Sequence, residues 1–263
     1  MRRGNVMQTA INLGAVTVGG LEPTKIAAPL TGATLAEVRA QCQAVIADPA
    51  AAIAEWRLDY MTETVSDAAI FKAAQGMKMD LKAANKALLA TVRTQAQGGN
   101  FSGDAEAYLK QYQLILRQEL SDAIDLEYTM DHEVRRQILK ASGLLSRPVI
   151  LSYHDFERTP KLADLKELLQ EMAALPAQLL KIAVQPRSRQ DVLTIFEAAD
   201  WAADHLQQPL AIMGMGNLGK ITRVSGNIFP SALTFASVGQ QLSAPGQLPT
   251  DFVAKVLQTF ERN

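Results

Sequence analysis

A chain of 263 residues with one cysteine, three histidines and two tryptophans is short of the raw material for several kinds of protein. Cys42 alone cannot form an intramolecular disulfide or a cysteine-based metal site. Its setting, Val38-Arg-Ala-Gln-Cys-Gln-Ala-Val45, reads as a helix in which the thiol is buried and inert. Charge of neither sign is in excess: 26 Lys and Arg stand against 27 Asp and Glu, for a net charge of −1. That balance gives no reason to expect nucleic acid or an anionic membrane as a partner. Long apolar runs are missing too, and none approaches the ~20 residues that span a bilayer. Met1-Arg-Arg-Gly-Asn5 is charged but is followed by no continuous apolar segment, so it does not read as a secretory signal. The expectation is a soluble, cytoplasmic protein.

What is present is the content of a sizeable core. Hydrophobic residues make up 48% of the chain and charged residues 20%, in a length that suits one α/β barrel or two small domains. Ala15-Val-Thr-Val18, closed by Gly19-Gly20, reads as a short strand capping the main domain. Short apolar runs then recur at Lys25–Ala28, Ala52–Asp59, Ala87–Arg93, Ala123–Glu127, Val149–Tyr153, Leu179–Val184, Pro209–Gly214 and Leu233–Ala236. Between them lie segments with helical spacing: Thr34–Ile46, Ser66–Gln75, Ala105–Leu120, Glu133–Leu144, Leu162–Ala173, Arg189–Leu206, a short helix after Gly219, and Asp251–Phe260.

Eight strands alternating with helices over about 240 residues predict a (β/α)₈ TIM barrel. The expectation is one barrel domain over 1–263, with 1–24 as an N-terminal extension and β cap. A doubly wound open sheet is the other α/β arrangement, but no Gly-x-Gly-x-x-Gly follows the first strand. Gly214, Gly216 and Gly219 instead follow the seventh, where barrels often bind anionic groups.

A barrel of this kind works at the C-terminal mouth of its strands. Reading outward along each strand gives Glu55, Arg57 and Asp59; Arg93; Glu127; His154; Lys181; Met213; and the loop from Phe235 to Gln247. The other histidines, His132 and His205, fall on predicted helices and read as solvated surface. Strand alternation puts Glu55, Arg57 and Asp59 on one face, opposite Trp56 and Leu58. Charges facing a barrel interior need partners or a charged ligand. They are either an internal salt-bridge layer or, for Arg57, an anion clamp.

Lys181, enclosed by Leu179, Leu180, Ile182 and Val184, carries the sharpest chemistry. Burial and nearby arginines would disfavour its ammonium form, and the neutral amine attacks ketones or aldehydes to form an imine. Equally, its stem could lie on the core with its head in water. The strand holding His154 and the strand holding Lys181 belong to one βαβ unit over Val149–Pro186, so the two side chains can converge. His154 could then move a proton on and off the carbon beside the imine. By spacing alone, a Schiff-base aldolase fits equally well.

From about Lys25 to its end, the chain closely resembles the type I 3-dehydroquinate dehydratases (3-dehydroquinases). The shared segments are Glu55-Trp-Arg-Leu-Asp59, Arg93 with Gly98-Gly99, Ile124-Asp-Leu-Glu127, and Ser152-Tyr-His-Asp-Phe156. They continue with Lys181-Ile-Ala-Val184, Met213-Gly-Met-Gly216 with Thr222-Arg223, and Ser243-Ala-Pro-Gly-Gln247. Each is weak alone, and their number and order make the resemblance specific.

The resemblance implies dehydration of 3-dehydroquinate to 3-dehydroshikimate with no metal or organic cofactor. Lys181 would condense with the C3 ketone; His154 would take the C2 proton and protonate the departing C1 hydroxyl. Glu55, Arg57, Arg93, Arg223, Ser243 and Gln247 match substrate-binding positions. Homodimers are implied as well. Apart from the resemblance, the Ser-Ala-Pro-Gly run in the loop from Gly226 to Gln247 suits a mobile lid. Gln97 stands where some members carry a glutamate that orients the histidine; Asp155 or Glu127 could help in its place. Pro29 stands where some members offer a serine, and Pro230 replaces a small residue before Ser231-Ala232. Two other readings stay open. One is a class I aldolase acting on a phosphorylated sugar, which calls for a stronger phosphate site after strands seven and eight. The other is a silent barrel that binds a cyclic carboxylate.

Overall fold

The computed structural model describes residues 8–239 and 246–260. A two-stranded antiparallel hairpin, β1 (Ala10–Leu13) and β2 (Val16–Gly19), opens the described chain. Eight parallel strands follow: β3 (Lys25–Leu30), β4 (Ile53–Arg57), β5 (Ala87–Thr91), β6 (Ala123–Glu127), β7 (Val149–Asp155), β8 (Leu179–Val184), β9 (Leu210–Gly214) and β10 (Leu233–Phe235). Their spatial order is β10-β3-β4-β5-β6-β7-β8-β9, and the ring closes where the Ala232 N–H donates to the Leu210 carbonyl at 2.7 Å. Ser231 completes that seam, its Oγ accepting from the Ile212 N–H at 3.1 Å. The sheet is therefore the TIM barrel that the alternation predicts.

Around it run α1 (Leu35–Ala47), α2 (Asp67–Ala83), α3 (Ala105–Arg117), α4 (His132–Leu144), α5 (Leu162–Ala173), α6 (Arg189–His205), α7 (Gly216–Val224) and α8 (Thr250–Thr259). Local chemistry sets their starts. Thr34 and Ser188 head capping boxes with Glu37 and Asp191, and Ser66, Asp104 and Asp131 each accept a first-turn N–H. Tyr108, Tyr112, Ile115 and Leu116 form the buried stripe of α3. His132 and His205 are exposed at helix ends, and Cys42 is buried, its thiol pushed up to about 12 by burial and then by Asp80.

Alternation along the strands makes two separate cores. Outward residues such as Trp56, Leu126, Leu151 and Ile182 pack under the helices. Inward residues such as Ala27, Ile53, Leu89, Ile150, Leu179 and Leu233 fill the lower barrel. The hairpin plugs that lower end, with Leu13, Val16 and Val18 joining the inner core. Above this apolar floor the inward positions turn polar and charged: Glu55, Arg57, Arg93, Asp125, Glu127, Ser152 and Lys181 are all buried. Among the described residues, no helix is long and apolar enough to cross a membrane.

Two expectations change. Helix α2 runs on to Ala83, well beyond Gln75, because Gly76 has open space on its side-chain side and interrupts the pattern without interrupting the helix. The glycines after β9 serve packing. A Cβ on Gly219 would lie 2.2 Å from the Gly214 carbonyl carbon, so α7 starts hard against the strand it follows. Thr222 reinforces this, its Oγ1 accepting from the Gly214 N–H and donating to the Gly219 carbonyl. Gly219→Ala is expected to destabilise the fold by about 1–3 kcal/mol through overpacking of backbone against backbone. Urea unfolding checks it, and an unchanged midpoint would contradict this role for the glycine.

Candidate active site

The inner face of β6 supplies the centre of the site. Asp125 points inward two positions before Glu127, and its side chain has no solvent exposure. Its Oδ2 accepts from Lys181 Nζ at 2.8 Å, and its Oδ1 accepts from Arg93 Nη2 and Ser152 Oγ, each at 2.6 Å. The register explains the meeting: Ser152 pairs directly with Lys181 across β7 and β8, and Asp125 pairs with Thr91 on β5, two residues before Arg93. Burial alone would raise the Asp125 pKa. Arg93 and then Lys181 outweigh it and hold the carboxyl far below the usual range. Loss of either partner would strand a buried charge, at a cost of about 3–5 kcal/mol.

The outlying arginines differ in how they are held. Arg93 donates to Glu127 Oε1 at 3.2 Å and to Ser152 Oγ at 2.9 Å besides its bond to Asp125, so its guanidinium is firmly charged. Glu127 also accepts from the N–H and hydroxyl of Thr94. Arg57 forms a two-pronged bond with Asp59, at 2.8 and 2.7 Å. Asp59 itself lies in a 3₁₀ turn past the end of β4, and also accepts the backbone N–H groups of Arg93 and Asn100. It belongs to a salt-bridge layer, and it fixes both arginines. Arg223, on α7, is buried beside Met213 Sδ and the Phe235 carbonyl, and burial brings its pKa down to about 10.

Lys181 Nζ lies 3.8 Å from Glu55 Oε1 and 4.1 Å from the centroid of the Phe235 ring. Glu55 is steadied by the Thr91 hydroxyl at 3.0 Å. The nearest charges to the lysine are thus carboxylates, where the strand ends lead one to expect like-charged arginines. The side chain is buried and lines the cleft.

His154, near the end of β7, carries the reverse burden. Its Nδ1 is buried and meets no hydrogen-bond partner among the described residues. Burial, then Arg93 and Lys181, hold its pKa well below the usual 6.5, with Asp125 opposing. Gln97 accepts the His154 backbone N–H at 2.8 Å, so it grips the main chain at this point. Phe156 stacks on the imidazole at 6.2 Å and fills the space over Gly98, where a Cβ would lie 2.1 Å from the ring. Asp155 turns away to cap Glu157 and Arg158, and Glu127 is taken by Thr94 and Arg93.

Glu55, Arg57, Arg93, Gln97, His154, Lys181, Arg223 and Gln247 all line one cleft of about 500 Å³. Ser243, within residues 240–245 of the loop expected to act as a lid, lies outside the described residues. Pro29 is buried and does not line the cleft, and Pro230 lies in the connection before β10. Strand ends do not single out Asp125. Its signal in the sequence is alternation, since it shares the inward face with Glu127. Among the described residues, no group of three or more His, Cys, Asp or Glu side chains is arranged to hold a metal ion.

The chain matches the family model described as Type I 3-dehydroquinase over residues 26–263. It is 35% identical over 257 residues to a 3-dehydroquinate dehydratase of Lactiplantibacillus plantarum, covering 98% of this chain and 100% of that protein. A 3-dehydroquinate dehydratase of Klebsiella pneumoniae is 38% identical over 239 residues, covering 90% of this chain and 92% of its own. Among solved structures, the type I 3-dehydroquinate dehydratase of Clostridium difficile, with covalently modified comenic acid, superposes with a TM-score of 0.88. It is 29% identical and covers 96% of this chain and 98% of that one.

The state of His154 gives a direct test. An unfolded histidine binds a proton below about pH 6.5, whereas the folded ring resists protonation until lower pH. Folding stability contributed by the neutral ring is therefore full above about pH 6.5 and falls as the pH drops below it. Nuclear magnetic resonance of the imidazole is expected to report a neutral ring at pH 6.5, the ordinary histidine value. A half-protonated ring there would contradict the geometry described.

Proposed function

The chain belongs to the type I 3-dehydroquinase family, and on that premise we propose that it dehydrates 3-dehydroquinate to 3-dehydroshikimate through an imine on Lys181. The observation that carries the chemistry is the convergence of a buried lysine and a buried histidine in one cleft, with the lysine aimed by Asp125 at 2.8 Å and the histidine's protonated form disfavoured by burial. The covalently modified comenic acid of the Clostridium difficile structure is consistent with such a site.

Lys181 gives up a proton, for which the neutral His154 ring is an acceptor, and its nitrogen attacks the C3 carbonyl carbon. The carbonyl oxygen takes one proton from the nitrogen and the other back from His154 and leaves as water, so a C=N bond carrying one positive charge forms and His154 is neutral again. His154 removes the C2 proton, and the C–H electrons move toward nitrogen to give an enamine. Those electrons return to expel the C1 hydroxyl, which His154 protonates on the same face, so a second water leaves. Hydrolysis of the conjugated iminium frees 3-dehydroshikimate and Lys181.

Binding roles follow from the chemistry of each group. Arg223, buried in the cleft wall, would receive the substrate carboxylate with its planar fork. Arg57 and Arg93 add positive field while tied to their own carboxylates. Glu55, Gln247 and Ser243 would pair with ring hydroxyls. Gln97 would position His154 through its main chain. No metal or organic cofactor enters the sequence of bonds made and broken. The aldolase reading is weaker, because Gly214 and Gly219 have a packing reason of their own in the close approach of α7 to β9.

We place this reaction in the cytoplasm, as a step of the shikimate route to aromatic amino acids, and expect a homodimer. Sedimentation at micromolar concentration is expected to give twice the chain mass, and a single-chain mass would contradict that assembly. For the chemistry, the conjugated enone of the product gives a continuous absorbance assay. Lys181→Ala is expected to abolish turnover, and His154→Ala to lower kcat by about 10²–10⁴-fold. A Lys181→Ala enzyme that still turned over, or a His154→Ala enzyme near wild type, would overturn the respective role.

A further inference from the structure

Phe235 has no part in the reaction steps above, yet its ring centroid lies 4.1 Å from the reacting nitrogen, well inside the ~6 Å range of a cation–π contact. The ring belongs to the barrel itself. It is 4% exposed and ends β10, whose register sets Phe235 beside Ala27. The backbone around it is held on both sides: Arg223 donates to the Phe235 carbonyl at 3.4 Å, and the Ala236 N–H donates to the Ala27 carbonyl at 3.0 Å. A face held this way costs no reorganisation when the charge beside it is redistributed.

The three contacts of Lys181 Nζ respond differently to imine formation. An ammonium has three N–H donors and can serve Asp125 at 2.8 Å and Glu55 at 3.8 Å together. The iminium has one N–H, so at most one of those interactions keeps its donor. Its positive charge remains, spread over a flat N=C unit. An aromatic face attracts such a charge without needing an N–H to receive. We propose that Phe235 is a catalytic residue whose ring face stabilises the Lys181 iminium, taking over as the ammonium gives up N–H donors that face its carboxylates.

This inference rests on the imine reading and deepens it. In the enamine the nitrogen is neutral, so the ring favours the iminium states on either side of it. Phe235 should therefore control how much of the covalent intermediate stands as iminium and not as enamine, more than it controls binding before the bond forms. A ring that is only an apolar wall would leave that quantity unchanged on isosteric substitution.

The experiment traps the intermediate. Enzyme and 3-dehydroquinate are mixed, reduced with excess borohydride, and the fraction modified at Lys181 is read by mass spectrometry as a function of substrate concentration. Phe235 is replaced by mono-, di- and trifluorophenylalanine, which keep its shape while draining the ring face of negative charge, and separately by Phe235→Leu. The iminium equilibrium is expected to fall stepwise with each fluorine and by about 10–30-fold in Phe235→Leu. Equal trapping across a folded fluorinated series would overturn the role of the ring and leave the imine intact. No adduct in the wild-type enzyme would overturn both.

Discussion

A single buried carboxylate organises the interior of this barrel. Asp125 holds Lys181 with one oxygen, and Arg93 and Ser152 with the other, so the group with no solvent exposure ties its own strand to residues from three neighbouring segments of the barrel. In a medium that solvates charge poorly, it is the carboxylate that both cations share, with Glu127 as the second partner of Arg93 and Glu55 as the more distant one of Lys181. The arrangement also suits a nitrogen that changes its bonding. Ammonium and iminium carry the same charge, and the oxygen lost from the ketone leaves as neutral water. In the proposed reaction the charge opposite Asp125 is therefore the same on either side of imine formation.

The barrel turns a linear pattern into this cluster. Every second residue faces inward, and the lower inward positions are apolar and sealed by Leu13, Val16 and Val18 of the hairpin. The upper positions and the segments just above them carry Arg57, Arg93, Lys181 and Arg223 with Glu55, Asp59, Asp125 and Glu127, equal numbers of each sign. His154 is buried near Arg93 and Lys181 with its Nδ1 unpartnered among the described residues, which disfavours its protonated form, as the proposed role of proton acceptor requires. Positioning and basicity thus have different sources. Carboxylates aim the lysine, and burial with a net positive field tunes the histidine.

Much of this is legible in the sequence because barrel strands announce themselves by composition. β6, α5 and β8 begin and end where apolar runs and helical spacing put them, and alternation alone separates Glu55 and Arg57 from Trp56. What is not legible is pairing across strands. Asp125 lies in the plainly visible run Ala123-Ile-Asp-Leu-Glu127, but only the register reveals that it meets Lys181 and Arg93. Asp59 reads as a third inward charge of β4, whereas the strand stops at Arg57 and Asp59 returns from a turn to grip it. β1 escapes a reading by composition because Ala10-Ile-Asn-Leu13 is short, largely exposed and stabilised only by its partner strand and the barrel floor. Gly214 and Gly219 look like a phosphate loop in sequence because close backbone packing and anion cradling call for the same residue.

If the nitrogen held by Asp125 becomes covalently joined to the substrate, reduction will lock that bond in place. Borohydride treatment in the presence of 3-dehydroquinate, followed by peptide mapping, tests this most directly. The expected result is one reduced adduct per chain, on Lys181, with loss of activity that depends on substrate being present. An adduct on another lysine, or full retention of activity with product still forming, would contradict it.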